Sequence, residues 1–131
     1  MTLIADTGLL VGFLDASDQY HAWAKGQFAR MRVSLVTCEA VLAETEYLVQ
    51  GSGPRLMEMV RRGALQVEHL LPDDAQSLAT LMTKYPKMQL ADACIVRLSE
   101  VVPKAVVYTT DKRDFGVYRR RGKEAIDTIT P

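Results

Sequence analysis

The chain has 131 residues, 48% hydrophobic and 24% charged, with 16 Lys plus Arg against 16 Asp plus Glu. This is one domain's worth of ordinary globular composition, which excludes a disordered tail, a low-complexity chain and two independent domains. A formal charge of zero removes any global electrostatic case for nucleic acid, so such a case must come from local clusters.

Cys38 and Cys94 are the only cysteines, far apart and without a C-x-x-C, and His21 and His69 are the only histidines. Structural zinc, haem attachment and a disulfide framework therefore lack ligands, which leaves carboxylates and hydroxyls to carry chemistry. The apolar run Leu9–Leu14 falls far short of the ~20 residues that span a bilayer. No Lys or Arg precedes it, so a signal peptide is a poor reading and a soluble, cytoplasmic protein with no membrane partner is expected.

In chain order, Leu3-Ile4-Ala5 reads as a first strand, and Asp6-Thr7 starts a helix carrying Leu9, Leu10, Phe13 and Leu14. Asp15 to Asp18 is a polar break, and a second helix is expected from about Gln19 to Met31. Val33–Thr37 is the next strand, followed at once by a helix from about Glu39 to Gln50. Gly51-Ser52-Gly53-Pro54 breaks it, and Pro54 suits the first turn of another short helix. Leu65–Leu70 reads as a strand, Pro72 as the opening of a helix ending near Tyr85-Pro86, and Leu90–Glu100 as a further helix. Ala105–Thr109 is the most strand-like stretch, and Ala125–Ile129 a weaker last one. Alternation of this kind predicts βαβ units: an α/β fold, a three-layer α/β/α sandwich on a mainly parallel sheet, in one domain over residues 1–131.

In such sheets ligands sit beyond the carboxyl ends of the strands. Asp6 directly follows the first strand, and Asp111 follows the strand ending in Tyr108-Thr109-Thr110. The ordinary reading of each is a helix N-cap. Glu44 is more informative. At ~100° per residue, Glu39 and Glu46 lie within about 20° of each other, while Glu44 points elsewhere, flanked by Val41 and Tyr47. A carboxylate on an apolar face must be paired, protonated or metal-bound, unless it reaches solvent at the edge of that face. Asp92 lies in the first turn of its helix, where the macrodipole favours an acid, but its neighbours Ala91 and Ala93 allow close approach to the sheet.

Two carboxylates ~4 Å apart repel by about 4 kcal/mol at an effective dielectric near 20, so three or four together call for a cation. With no nearby His or Cys, the expected ion is hard: Mg²⁺, with Mn²⁺ able to substitute. Such an ion suits phosphodiester hydrolysis, by activating water and neutralising charge in the transition state.

These residues resemble a known family. Leu-Ile-Ala-Asp6-Thr7-Gly8 is similar to the N-terminal signature of PIN domains, and Val41-Leu42-Ala43-Glu44 to their helix glutamate. Leu90-Ala91-Asp92-Ala93-Cys94-Ile95 and Thr109-Thr110-Asp111-Lys112-Arg113-Asp114-Phe115 resemble the two later motifs. Order, spacing and length resemble the toxin ribonucleases of VapBC toxin–antitoxin pairs, from Leu3 to Phe115. The resemblance implies a PIN-like domain and a metal-dependent endoribonuclease. Asp6, Glu44 and Asp92 would hold the ion or its waters and Asp111 would complete the site, with Asp6, Asp92 and Asp111 as the metal ligands. Asp114 competes with Asp111 for the fourth role. Gly8 stands where many relatives carry Ser. Thr7 and Thr109 are read as structural, or as orienting a carboxylate or a substrate phosphate.

Tyr118-Arg119-Arg120-Arg121-Gly122-Lys123, with Lys112 and Arg113 upstream, is the one clear basic cluster. Arg113, Arg119 and Arg120, with Asp114, are candidates for contacting RNA; the alternative is a solvated turn. Arg61-Arg62, Lys84 and Lys87 read as surface charge, and Trp23, Phe28 and Met31 as packing. Exposed apolar positions on the early helices are candidates for a homodimer or antitoxin surface. Three functions compete: the nuclease toxin, a non-catalytic PIN-like module binding RNA or protein, and a phosphotransfer receiver. The receiver is disfavoured because it needs its acceptor Asp after a middle strand.

Overall fold

A computed structural model describes all 131 residues. Its elements are β1 (Thr2–Ala5), α1 (Thr7–Leu14), α2 (His21–Arg30), β2 (Leu35–Thr37), α3 (Glu39–Leu48), α4 (Gly53–Arg61) and β3 (Leu65–Val67). They continue with α5 (Ala75–Lys84), α6 (Leu90–Val101), β4 (Ala105–Tyr108), α7 (Lys112–Val117), β5 (Arg119–Arg120), β6 (Glu124–Ala125) and β7 (Thr128–Ile129). Five strands form a parallel sheet in the order β3-β2-β1-β4-β7, flanked by helices as the sequence predicts.

The strand order explains where a site can form. From β1 the chain winds outward through β2 to β3, then crosses back to lay β4 on the other side of β1. The connections diverge between β1 and β4, which is where open α/β sheets leave a crevice. These two strands are in full register, Thr2 opposite Ala105 through Ala5 opposite Tyr108. Residues leaving their carboxyl ends are therefore neighbours although about 100 positions separate them in the chain.

Apolar periodicity drives the packing. Ile4, Leu9, Leu10, Val41, Ile95, Val96, Leu98 and Val107 are fully buried. Each such side chain contributes about 1.5–3 kcal/mol relative to exposure. Two buried hydroxyls are satisfied within their own helices: Thr45 Oγ1 donates to the Val41 carbonyl (2.8 Å) and Ser99 Oγ to that of Val96 (2.6 Å). No helix is long and apolar enough to cross a membrane.

Four boundaries differ from expectation. Val33 is exposed and β2 begins at Leu35. The third strand stops at Val67 rather than Leu70, because pairing with the short β2 ends there. The helix expected from Pro72 begins at Ala75. A tight turn precedes it, and Asp74 in that turn is held by Arg97 of α6 at 2.9 Å. The last strand is split: Ala125 pairs with Arg119 in an antiparallel hairpin, and only Thr128–Ile129 joins the sheet. The hairpin turns through Arg121 (φ 50°) and Gly122 (φ 81°), successive left-handed residues that a tight reversal requires.

Candidate active site

Asp6, Glu44, Asp92 and Asp111 line one cleft of about 300 Å³ at the carboxyl edge of β1 and β4. They come from the end of β1, the middle of α3, the first turn of α6 and the residue before α7. Glu44 is half-buried and turned into the cleft, whereas Glu39 and Glu46 on the same helix are exposed, as the helical angles predict.

Asp6 is 5% exposed. It occupies the N-cap position of α1, yet its side chain makes no capping bond. Its Oδ2 instead accepts from Thr109 Oγ1 at 2.6 Å, and Thr109 Oγ1 accepts from the Asp111 amide at 3.0 Å. That relay locks the ends of β1 and β4 together. Burial pushes the Asp6 carboxyl up to about 7. The Thr109 hydroxyl and the Thr7 amide oppose the rise, and Asp92 and Glu44 add to it. Asp92 and Asp111 are also raised, each by burial first, with neighbouring carboxylates adding to both.

Asp92 and Asp111 combine ordinary and functional readings. Asp92 Oδ2 accepts the Gln89 amide at 3.2 Å, closing the start of α6, and Asp111 Oδ1 accepts the Asp114 amide at 2.9 Å as the N-cap of α7. Both still line the cleft. Asp114 does not; it lines a neighbouring recess.

Several cleft residues lie outside the set of candidate site residues. Asp18, Gln19 and Tyr20 form part of its wall, shaped by a turn in which Asp18 Oδ2 accepts the Tyr20 amide at 2.9 Å. Thr110 is another, and it explains Gly8. A Cβ on Gly8 would lie 1.9 Å from Thr110 Oγ1 and 2.9 Å from its Cβ, so the two residues share space that only glycine leaves open. Thr7 Oγ1 is buried at the cleft with no hydrogen-bond partner.

The basic cluster is largely engaged at home. Arg119 Nη1 donates to the carbonyls of Gly116 (2.7 Å) and Tyr118 (2.9 Å), closing the end of α7. Arg120 lies 3.9 Å from Glu124, and Arg121 pairs with Glu124 while its amide donates to Glu100. Arg119 thus closes the end of α7, whereas the buried Nε of Arg120 has no hydrogen-bond partner. Arg113 is exposed and makes no ion pair.

The donor set fits a hard cation. It consists of oxygens alone, burial and mutual repulsion disfavour its charge, and an orphaned hydroxyl lies beside it. No three His, Cys, Asp or Glu side chains stand at metal-ligand spacing. An ion here would keep several waters, as Mg²⁺ characteristically does when held by one or two carboxylates.

Residues 3–121 match the family model of the PIN domain. Ribonuclease VapC26 of Mycobacterium tuberculosis is 28% identical over 127 residues, covering 92% of this chain and 94% of that one. The crystal structure of M. tuberculosis VapC20, described as a toxin cleaving the sarcin-ricin loop, has a TM-score of 0.70 to it. That likeness covers 86% of this chain and 92% of the other at 20% identity, and it is a likeness of fold.

Proposed function

The chain belongs to the PIN-domain family, and on that premise we propose that it is a Mg²⁺- or Mn²⁺-dependent endoribonuclease, the toxin half of a toxin–antitoxin pair. The observation that carries this reading is the convergence of Asp6, Glu44, Asp92 and Asp111 on one cleft, with the proton affinity of Asp6 raised by burial. Asp6, Asp92 and Asp111 would hold the ion directly or through its waters, with Glu44 beside them. Such an ion supplies a water activated at neutral pH and positive charge against the phosphate in flight.

The remaining work belongs to the chain. Thr109 fixes the orientation of Asp6 through the 2.6 Å bond and is itself fixed by the Asp111 amide, so the two carboxylates keep their relative position without reorganising. Asp92 is held by the α6 terminus and Asp111 by that of α7. The relatives' names, a ribonuclease and a toxin, support the substrate and the biological setting. An antitoxin protein and a second copy of the chain are the proposed partners. The exposed Tyr47 and Leu48 on α3 support a protein-binding surface, since Leu48 also lines the cleft and a partner there would cover it. A cytoplasmic location is part of the same proposal.

The test is a time course on a fluor-labelled RNA panel with Mg²⁺, Mn²⁺ or EDTA, run beside identically purified Asp6→Asn protein. Cleavage that needs metal and vanishes in the variant is expected. Equal cleavage by both proteins would trace the activity to contamination, and no cleavage of any RNA would favour the non-catalytic module.

A further inference from the structure

Beside the acidic cleft lies a second concavity of about 510 Å³, between the α5–α6 connection and α7. Its floor is apolar: Met88 and Tyr118 are buried, Tyr85 is half-buried and Val117 is 60% exposed. Two cations also line the recess, Lys87 from the connection and Arg113 from the first turn of α7. Both are exposed, and neither makes an ion pair or a side-chain hydrogen bond. By contrast, Lys84 donates to the Gly122 carbonyl (3.2 Å), Arg119 closes the end of α7 and Arg121 pairs with Glu124.

Aromatic packing frames the recess. Tyr118 packs edge-on against Tyr85 (centroids 5.1 Å apart) and Phe115 (5.2 Å), and Tyr85 Oη accepts the Arg119 amide at 3.1 Å. It is also coupled in space to the acidic cleft by α7. Asp111 lines the cleft, while Arg113, Asp114 and Val117 line the recess, and the Asp114 amide is bonded to Asp111. The helical rise from Asp111 to Val117 is about 9 Å, within reach of the nucleotide neighbouring one bound at the cleft.

We propose that this recess is an RNA subsite: it takes the base of the nucleotide adjacent to the scissile phosphate on its apolar floor, and that nucleotide's phosphate between Lys87 and Arg113. The inference rests on the nuclease reading and deepens it. An acidic cleft repels the polyanion it must cleave, so binding has to be supplied by cations beside it. Unpaired cations flanking an apolar, partly aromatic surface are the combination by which proteins hold single-stranded nucleic acid. Asp114, next to Arg113 on α7, also lines the recess, where the two cations outnumber it.

The test measures binding of a fluor-labelled single-stranded RNA to Asp6→Asn protein in Mg²⁺ by anisotropy, alongside cleavage by otherwise wild-type protein. Lys87→Ala/Arg113→Ala should weaken binding about tenfold and flatten the salt slope by about 0.7 for the lost phosphate contact. Val117→Asp, which puts a carboxylate on the exposed floor, should weaken it similarly with an unchanged thermal midpoint. The control Lys25→Ala/Arg55→Ala removes the same charge elsewhere and should leave affinity within about twofold. Unchanged binding by the Lys87/Arg113 variant, or an equal loss by the control, would overturn the subsite. If wild-type protein cleaves RNA while the Lys87/Arg113 variant binds and cleaves normally, the subsite fails and the nuclease stands. If binding depends on Lys87 and Arg113 but no RNA is cut, the nuclease reading fails and the binding site stands. Absence of any RNA binding would overturn the subsite.

Discussion

Replacing Asp6 by Asn should abolish cleavage and at the same time stabilise the metal-free protein at alkaline pH. The unfolded chain loses the Asp6 proton near 3.8, and the native protein near 7. Between these values the native state binds the extra proton, so stability falls as pH rises through the window and levels off above it. A shift from 3.8 to about 7 corresponds to about 4 kcal/mol. Asp6 is 5% exposed, so solvent screening takes little from that figure. Asp92 and Asp111 shift in the same direction and add to the slope.

An Asn at this position keeps the volume and an oxygen that accepts from Thr109, but carries no charge at any pH. Urea melts in EDTA at pH 5 and pH 8 should show wild-type stability dropping across the interval and the variant changing much less. At pH 8 the variant should be the more stable protein, by up to about 4 kcal/mol. Adding Mg²⁺ or Mn²⁺ at pH 8 should recover wild-type stability and leave the variant largely unmoved. A variant less stable than wild type at pH 8, with wild-type stability flat from pH 5 to 8, would refute the claim that burial of this carboxylate sets its proton affinity.

Three other substitutions probe the frame around the cleft. Thr109→Val removes the donor to Asp6 while keeping shape; it should cost about 1.5–3 kcal/mol at pH 8, where the carboxylate is charged, and less at pH 5. Urea melts at the two pH values check the difference. Gly8→Ser forces a side chain into the space of Thr110 and should cost about 1–3 kcal/mol. Thr110→Gly in the same protein should restore most of that, which a double-mutant cycle of thermal melts reads directly. Phe115→Ala empties the anchor under α7 and should cost about 3–5 kcal/mol by urea unfolding, with activity falling as Asp111 loses its support.

Much of this protein was legible from local pattern. The Leu3-Ile4-Ala5 strand, the β-branched Ala105–Tyr108 strand and the helix periodicities each depend on residues a few positions apart, so reading along the chain finds them. The direction of Glu44 was legible for the same reason: helical geometry alone separates it from Glu39 and Glu46. Strand ends single out Asp6 and Asp111, small neighbours single out Asp92, and the motif resemblance joins them with Glu44, but none of this gives their distances or proton affinities. Those depend on β4 crossing back to lie beside β1, a long-range pairing that no local window contains. The hairpin at Arg119–Ala125 escapes a local reading, which leaves RNA contact and a solvated turn both open, because its pairing and the contacts of Arg121 with Glu100 and Glu124 are set by the fold. Lys87 is surface charge in the fold as in the sequence, but that it lines the same recess as Arg113 is visible only in three dimensions. The sequence determined what each segment is, because secondary structure answers to neighbours in the chain; the tertiary structure decided which charges are buried, paired or left free, because those energies answer to neighbours in space.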